Sequence, residues 1–269
     1  MRYTVGITQW CYPGFSAGTM PEVKKNGFDT VQLEVGSWEH GLPLSRKKIR
    51  NGYLEAAVSA GLQLLPVAVN TVCQHPFAEG LDTPDGQIAL KALEAGIEAA
   101  AALHAEGITV PNFGRNKILN PMHLENTVLA LQHACRIGLE CGLNVYTENL
   151  LSAAGLERLF TDCSCPNLFL LFDSQNYRHN NLGYAMDVLR IWFPRTGSHI
   201  HVKAGSKTQN APLGCENSEA AGVLAFLKDH QYTGSIVLEN NYADPPLFRE
   251  DFSFMLDDIR FVHRQMAGA

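Results

Sequence analysis

Eight short apolar runs alternate with longer helix-like stretches along the 269 residues, and this alternation predicts a closed (β/α)8 barrel, the TIM-barrel architecture. The units average about 34 residues, matching the roughly 250 residues typical of that fold. Several runs are hydrophobic throughout, such as Leu168-Phe169-Leu170-Leu171-Phe172, as expected of parallel strands covered on both faces. The runner-up, an open doubly wound sheet, lacks its signatures: no G-x-G-x-x-G follows the first strand, and no G-x-x-x-x-G-K-[ST] occurs anywhere.

The elements follow in order. Strands are expected at 3–8, 30–35, 62–69, 107–110, 144–148, 168–173, 199–203 and 235–239, where apolar residues cluster in short runs. A helix near 45–60 closes at Gly61, immediately before the third strand. An Ala/Glu/Leu-rich helix over 85–106 stops at Gly107. The helix over 121–141 begins at a proline and ends at Gly142, the usual asymmetry of helix ends. Helices over 153–162, 182–192, 218–229 and roughly 247–266 complete the second half. No linker or composition break separates domains, so one barrel domain over 1–269 is expected.

Composition narrows the function. Hydrophobic residues at 46% and charged residues at 18% describe a globular chain rather than a disordered one. The net charge, 21 − 27 = −6, opposes a nucleic-acid partner. No apolar run approaches the length of a membrane span, and Met1-Arg2-Tyr3-Thr4 leads directly into a strand, so neither membrane insertion nor a signal peptide is expected. Seven scattered cysteines read as reduced thiols of a cytoplasmic protein. Cys163 and Cys165 form a C-x-C pair without the second pair that a zinc clip needs.

In a (β/α)8 barrel the chemistry sits at the C-terminal ends of the strands. The fifth run ends at Glu148, the sixth at Asp173 and the eighth at Glu239, and the seventh carries His199 and His201. Glu148, Asp173, His201 and Glu239 are spaced 25, 28 and 38 residues apart, one per successive strand. Neighbouring strands lie about 4.8 Å apart, so four such side chains can reach one ion. Three carboxylates and one imidazole favour Mn2+, with Co2+ and Mg2+ next and Zn2+ admitted, over a thiolate-type zinc site. Taken singly, each acid reads equally well as the cap of a following helix. His199 and His201 share a strand face. His201, nearer the C-terminal end, is the expected ligand, and His199 is expected one layer deeper as a core residue.

These residues resemble the metal quartet of the sugar isomerase/epimerase superfamily with the xylose-isomerase-like TIM barrel. The resemblance runs through Gly27-Phe28-Asp29-Thr30-Val31-Gln32-Leu33-Glu34, Phe172-Asp173-Ser174-Gln175-Asn176 and His199-Ile200-His201-Val202-Lys203. Leu213-Gly214-Cys215-Glu216 is similar to the family's Leu-Gly-Glu-Gly loop, with Cys215 where Glu is common, and the segment from Tyr232 to Glu239 is similar to its last strand. The resemblance implies a metal-dependent, ketose 3-epimerase-like sugar or sugar-phosphate isomerase or epimerase. Two departures stand out: Asn176 replaces the histidine of Asp-x-x-His in free-ketose epimerases, and Lys207 replaces an arginine six residues after the metal histidine.

The chemistry is that of a weak carbon acid beside a carbonyl. A divalent ion stabilises the enediolate formed when a carboxylate removes the proton, and a second carboxylate on the opposite face returns it. Glu148 and Glu239 are expected in these two roles, as the resemblance also implies. Around them, Glu34, His75, Asn112 and Asn176 are candidate substrate contacts, Trp10 and Trp38 a candidate apolar wall, and Lys203 and Lys207 candidate partners of an anionic substituent. Each of these has an ordinary loop, packing or surface reading beside it. The alternative reactions are dehydration of a keto-sugar or inosose by a lyase, and, outside catalysis, plain sugar binding. A related endonuclease of the same fold needs more histidine ligands than this chain supplies. The expected partner is a small carbohydrate, with a homodimer or homotetramer as the admitted assemblies.

Overall fold

The computed structural model describes residues 3–206 and 209–267. Its elements are β1 (Thr4–Thr8), α1 (Met20–Lys25), β2 (Thr30–Gln32), α2 (Lys47–Ala60), β3 (Gln63–Leu64), β4 (Val67–Ala68), α3 (Pro84–Ala102), β5 (Gly107–Pro111), α4 (Pro121–Glu140), β6 (Asn144–Glu148), α5 (Ala153–Cys163), β7 (Leu168–Asp173), α6 (Asn176–His179), α7 (Ala185–Trp192), β8 (Thr196–Val202), β9 (Gly205–Ser206), β10 (Gln209–Asn210), α8 (Ala220–Asp229), β11 (Ser235–Leu238) and α9 (Ser253–Ala267). Nine strands form one sheet in the order β3-β2-β1-β11-β8-β7-β6-β5-β4.

β3 and β4 are two pieces of the single run expected at 62–69. Pro66, which has no N–H to donate, sits between them. Gln63 N donates to Asp29 O at 3.0 Å, while Ala68 N donates to Leu33 O and Ala68 O accepts from Val35 N, each at 2.8 Å. Counting that interrupted run as one strand gives the eight that the sequence predicts, and the fold is an α/β TIM barrel.

The chain packs as two compact units, Met1–Val31 with Ala56–Gln63 and Phe172–Ala269, and Gln32–Glu55 with Leu64–Leu171. In the first, β11 pairs in parallel with β1 (Ile7 beside Leu238) and with β8 (Ser235 beside His199, Val237 beside His201). Its buried side chains include Val5, Ile7, Ile200, Val202, Val237 and Leu238. Burying each of these contributes about 1.5–3 kcal/mol. α9 presents Met255, Asp258, Ile259, Val262 and Met266 as its buried stripe, a helical spacing with one polar member.

In the second unit, β4, β5, β6 and β7 run parallel, with Val67 beside Ile108, Ile108 beside Val145, and Val145 beside Leu168. α3, α4 and α5 begin on side-chain caps: Thr83 accepts from Gly86 N, Asn120 from His123 N and Ser152 from Gly155 N. Pro84 and Pro121 occupy first helical positions, where the missing N–H costs nothing.

The differences from expectation are local. α6 and α1 were too short to register as periodic patterns. The last helix starts at Ser253 rather than near 247, because Phe252 adopts φ 56°, outside helical space. Lys203 lies just beyond β8 rather than within a strand. Among the described residues no helix is long and apolar enough to cross a membrane.

Candidate metal centre

β7 delivers Asp173 as its last residue, 3% exposed. Its Oδ1 accepts Gln175 N at 2.8 Å and Asn176 N at 2.7 Å, so one carboxylate oxygen turns the chain into α6. This is the helix-capping reading of the sequence, and it accounts for one oxygen only. Oδ2 is buried and makes no hydrogen bond. The nearest charge is the Lys203 ammonium, whose Nζ lies 3.5 Å away.

β8 and β11 bring the next two residues together through their register. Leu238 sits beside Val202, and Glu239 N donates to Val202 O at 3.0 Å, which continues the ladder one residue past the strand. Glu239 thereby lies next to both His201 and Lys203. Its Oε2 is 3.3 Å from His201 Nδ1 and accepts from Lys203 Nζ at 2.7 Å. Burial opposes ionisation of Glu239, but the Lys203 ammonium and the His201 imidazole outweigh it and hold the carboxyl well below the ordinary range. His201 is 1% exposed and His199 is fully buried, two residues deeper on the same strand face, with the rings 6.0 Å apart. Burial, and then the neighbouring His201, push the His199 imidazole well below its usual pKa.

Glu148 closes β6 and is 6% exposed. Within the first unit, one ligand atom from each of Asp173, His201 and Glu239 lies within 4.8 Å of the other two. Two carboxylates and one imidazole, with one of the carboxylate oxygens (Asp173 Oδ2) buried and without a hydrogen bond, form a donor set that fits a hard or borderline divalent cation.

The remaining expected residues occupy varied surroundings. Asn112 follows β5, buried, with its N–H on Glu148 O at 2.7 Å and its Nδ2 on Asn116 O at 3.1 Å; its Oδ1 has no hydrogen bond. Asn176 is buried and its N–H holds Asp173. Glu34 accepts from Asn70 Nδ2 at 3.0 Å. His75 has both ring nitrogens against carboxylates, Nδ1 with Asp85 at 2.8 Å and Nε2 with Glu39 at 3.1 Å. Trp10 lies in the turn after β1, half-buried, and the ring of Trp38 faces Lys91 Nζ at 5.9 Å. Lys207 lies outside the described residues.

Sequence reading missed the groups that hold this end of the first unit together. Asp258, on the buried stripe of α9, accepts from Tyr242 Oη at 2.7 Å, Leu213 N at 2.8 Å and Asn240 Nδ2 at 2.9 Å. Asn240 follows Glu239 directly, and its Oδ1 accepts Ala204 N, so the loops after β8 and β11 are tied to one carboxylate. Gln175, also buried, donates to Gly205 O and Asn217 O and accepts Glu219 N. A lone acid at an apolar helical position is the one signal that marks Asp258 in the sequence.

The sequence profile of the family described as xylose isomerase-like TIM barrel matches residues 20–257. A 2-epi-5-epi-valiolone 7-phosphate 2-epimerase of Actinoplanes sp. is 28% identical over 254 residues, covering 91% of this chain and 89% of that protein. A xylose isomerase domain protein from Planctomyces limnophilus superposes with a TM-score of 0.76 at 17% identity, covering 100% and 99% of the two chains. A D-allulose 3-epimerase from Methylomonas sp. superposes with a TM-score of 0.73 at 17% identity, covering 98% of each.

Proposed function

Because the chain belongs to the xylose isomerase-like TIM barrel family, we propose that it is a divalent-metal-dependent isomerase or epimerase of a sugar or sugar phosphate, acting as one catalytic domain in the cytoplasm. The observation that carries this reading is the convergence of Asp173, His201 and Glu239 within 4.8 Å, with Glu148 as the fourth proposed ligand. The epimerase identity of the Actinoplanes relative and of the Methylomonas fold neighbour supports the reaction class.

The four residues would hold the ion, with Mn2+ the first choice and Co2+, Mg2+ and Zn2+ behind it. A divalent ion supplies stabilisation for negative charge developing on the substrate's oxygens. The chain's own residues do the rest. Glu148 closes β6, and Glu239 directly follows β11. One of the two carboxylates removes the proton from the carbon beside the carbonyl, and the other returns it. Asp173 holds its orientation through the Gln175 and Asn176 N–H groups. Glu34, Asn112 and Asn176 would supply hydrogen-bonding groups for hydroxyls, and Trp10 and Trp38 an apolar wall, with His75 and Lys207 as further substrate contacts.

Two experiments test this. Asp173→Asn should abolish stoichiometric Mn2+ retention, read by metal analysis after gel filtration; full retention counts against the assigned ligand set. Turnover of ketoses in D2O should place deuterium on the epimerised or isomerised carbon. Conversion without solvent label would point to hydride transfer and sink the two-carboxylate mechanism, and release of water from the sugar would favour the dehydratase.

A further inference from the structure

We propose that a cavity of about 1070 Å³ in the first unit binds the phosphate of a phosphomonoester substrate between Arg178 and Arg249. The proposal rests on the sugar-converting function above and assigns its substrate class, a phosphorylated rather than a free sugar.

The cavity is lined by segments that follow three strands: Arg178 and His179 after β7, Gly205 and Asn217 after β8, and Arg249 and Phe254 after β11. In (β/α)8 enzymes the loops after the last two strands are the recurrent place for phosphate. β8 and β11 are the last two strands of the main sheet here. The volume is of the size that accommodates a whole small-molecule ligand rather than a bare ion.

The charge is suited to an anion. Two guanidinium groups face one carboxylate, Glu216, among the lining residues. Burial and the Lys203 ammonium lower the pKa of His179, so the positive charge of the lining comes from the two arginines. Arg178 uses Nη2 on Asn217 Oδ1 at 3.2 Å. Arg249 uses Nη1 on Pro246 O and Phe248 O, and its guanidinium packs 4.6 Å over the Phe254 ring. A guanidinium carries five donors in a planar fork. Among the described residues, Nε and one terminal nitrogen of each arginine make no hydrogen bond, which leaves a fork of the kind that matches phosphate bidentately.

The cavity is also in register with the candidate metal centre. α6 begins at Asn176, whose N–H is held by Asp173, and ends at His179, whose Nε2 meets Gly205 O at 3.0 Å. Four residues at 1.5 Å each make about 6 Å of helix, so the lining starts one short helix away from a metal-ligand candidate. A sugar chain can bridge that separation, with its carbonyl end at the carboxylates and a terminal phosphate at the arginines. Gly205 belongs to the wall between them. Gly205 O also accepts from buried Gln175, and a Cβ at residue 205, where φ is 104°, would lie 2.2 Å from Gln209 O.

The test compares the metal-loaded wild type with the double variant Arg178→Met/Arg249→Met, in titrations with inorganic phosphate, D-fructose 6-phosphate and D-fructose. Both arginines are exposed, so the double variant should fold, and unchanged circular dichroism checks this. If it does not fold, Arg178→Lys/Arg249→Lys keeps the charge without the fork and should retain weakened phosphate binding. The wild type should bind inorganic phosphate, and bind D-fructose 6-phosphate about 10- to 100-fold more tightly than D-fructose. The double variant should lose both the phosphate binding and the preference, with D-fructose and Mn2+ binding unchanged. Phosphate affinity that survives the double substitution overturns the proposal, as does a wild type that binds the two sugars equally. Asp173→Asn keeps the cavity intact, so phosphate binding there together with absent turnover in the wild type would refute the enzymatic reading and leave the anion site standing.

Discussion

At Asp173 the Oδ1 oxygen accepts two backbone N–H groups, which leaves Oδ2 for the candidate metal centre. Substitution separates the two tasks. Asp173→Asn retains an acceptor oxygen for the turn, whereas Asp173→Ala strands two buried N–H groups and should cost about 2 kcal/mol more in urea unfolding. Equal stability of the two variants would show that the turn does not depend on the side chain. Asp258 is the larger structural commitment, since Tyr242, Leu213 and Asn240 all donate to it. Asp258→Ala leaves three buried donors without their acceptor and should lower stability by on the order of 3 kcal/mol or more; a loss below about 1 kcal/mol would mean that these donors find other partners. His75 predicts a pH dependence. Burial alone would lower its pKa, but the hydrogen bonds and charges of Asp85 and Glu39 raise it above the ordinary imidazole value. A raised folded-state pKa contributes stability that is fully present below about pH 6.5 and is lost as pH rises through the raised value. The pairs are exposed on their acidic side, so solvent screening keeps the contribution small. His75→Gln should flatten this part of the stability profile, and a profile identical to wild type would remove the charged network from the account.

Two helical glycines should respond oppositely to the same substitution. Gly52 in α2 has open space where a Cβ would stand. Gly52→Ala should therefore stabilise the protein by about 0.5–1 kcal/mol, through helix propensity and a less flexible unfolded chain. Gly86, in the first turn of α3, would place a Cβ 2.1 Å from Gly80 O. That neighbour is backbone, in the same segment that Thr83 caps, so Gly86→Ala should destabilise despite the better propensity of alanine. Thermal unfolding of both variants decides it, and a stabilised Gly86→Ala would mean that the Gly80 turn yields. The cap of α4 offers a third measure: Asn120→Ala removes the acceptor of His123 N and should cost about 1 kcal/mol.

For the whole molecule, the proposed metal site links ion binding to folding. An ion that binds only the folded chain stabilises it by about 2.7 kcal/mol at a hundredfold excess over its Kd. Mn2+ should therefore raise the melting temperature of the wild type by roughly 5–10 °C, and EDTA should reverse the shift. Asp173→Asn should show no shift. A shift of wild-type size in that variant would place the ion elsewhere.

The sequence by itself determined the alternation of eight apolar runs with helices, because the strand and helix periodicities are local properties of the chain. It also determined which ionisable residue closes each run, so Glu148, Asp173, His201 and Glu239 could be named before any distance was known. Only tertiary structure decided what those residues meet. Lys203 reads as a contact for an anionic substituent, yet its ammonium rests on Glu239 and Asp173 once β8 and β11 pair in register. His75 reads as a substrate contact, yet both of its ring nitrogens face acids drawn from residues 36 and 10 positions away. Asp258 carries no role in the sequence reading, and α9 buries it under three donors. Pro66 divides one expected strand into β3 and β4 through a missing N–H, which the sequence does show, but the pairing of each piece depends on partners far along the chain. Strand register and loop packing join residues distant in sequence, so the hydrogen bonds and charges that set each side chain's role follow from the folded arrangement.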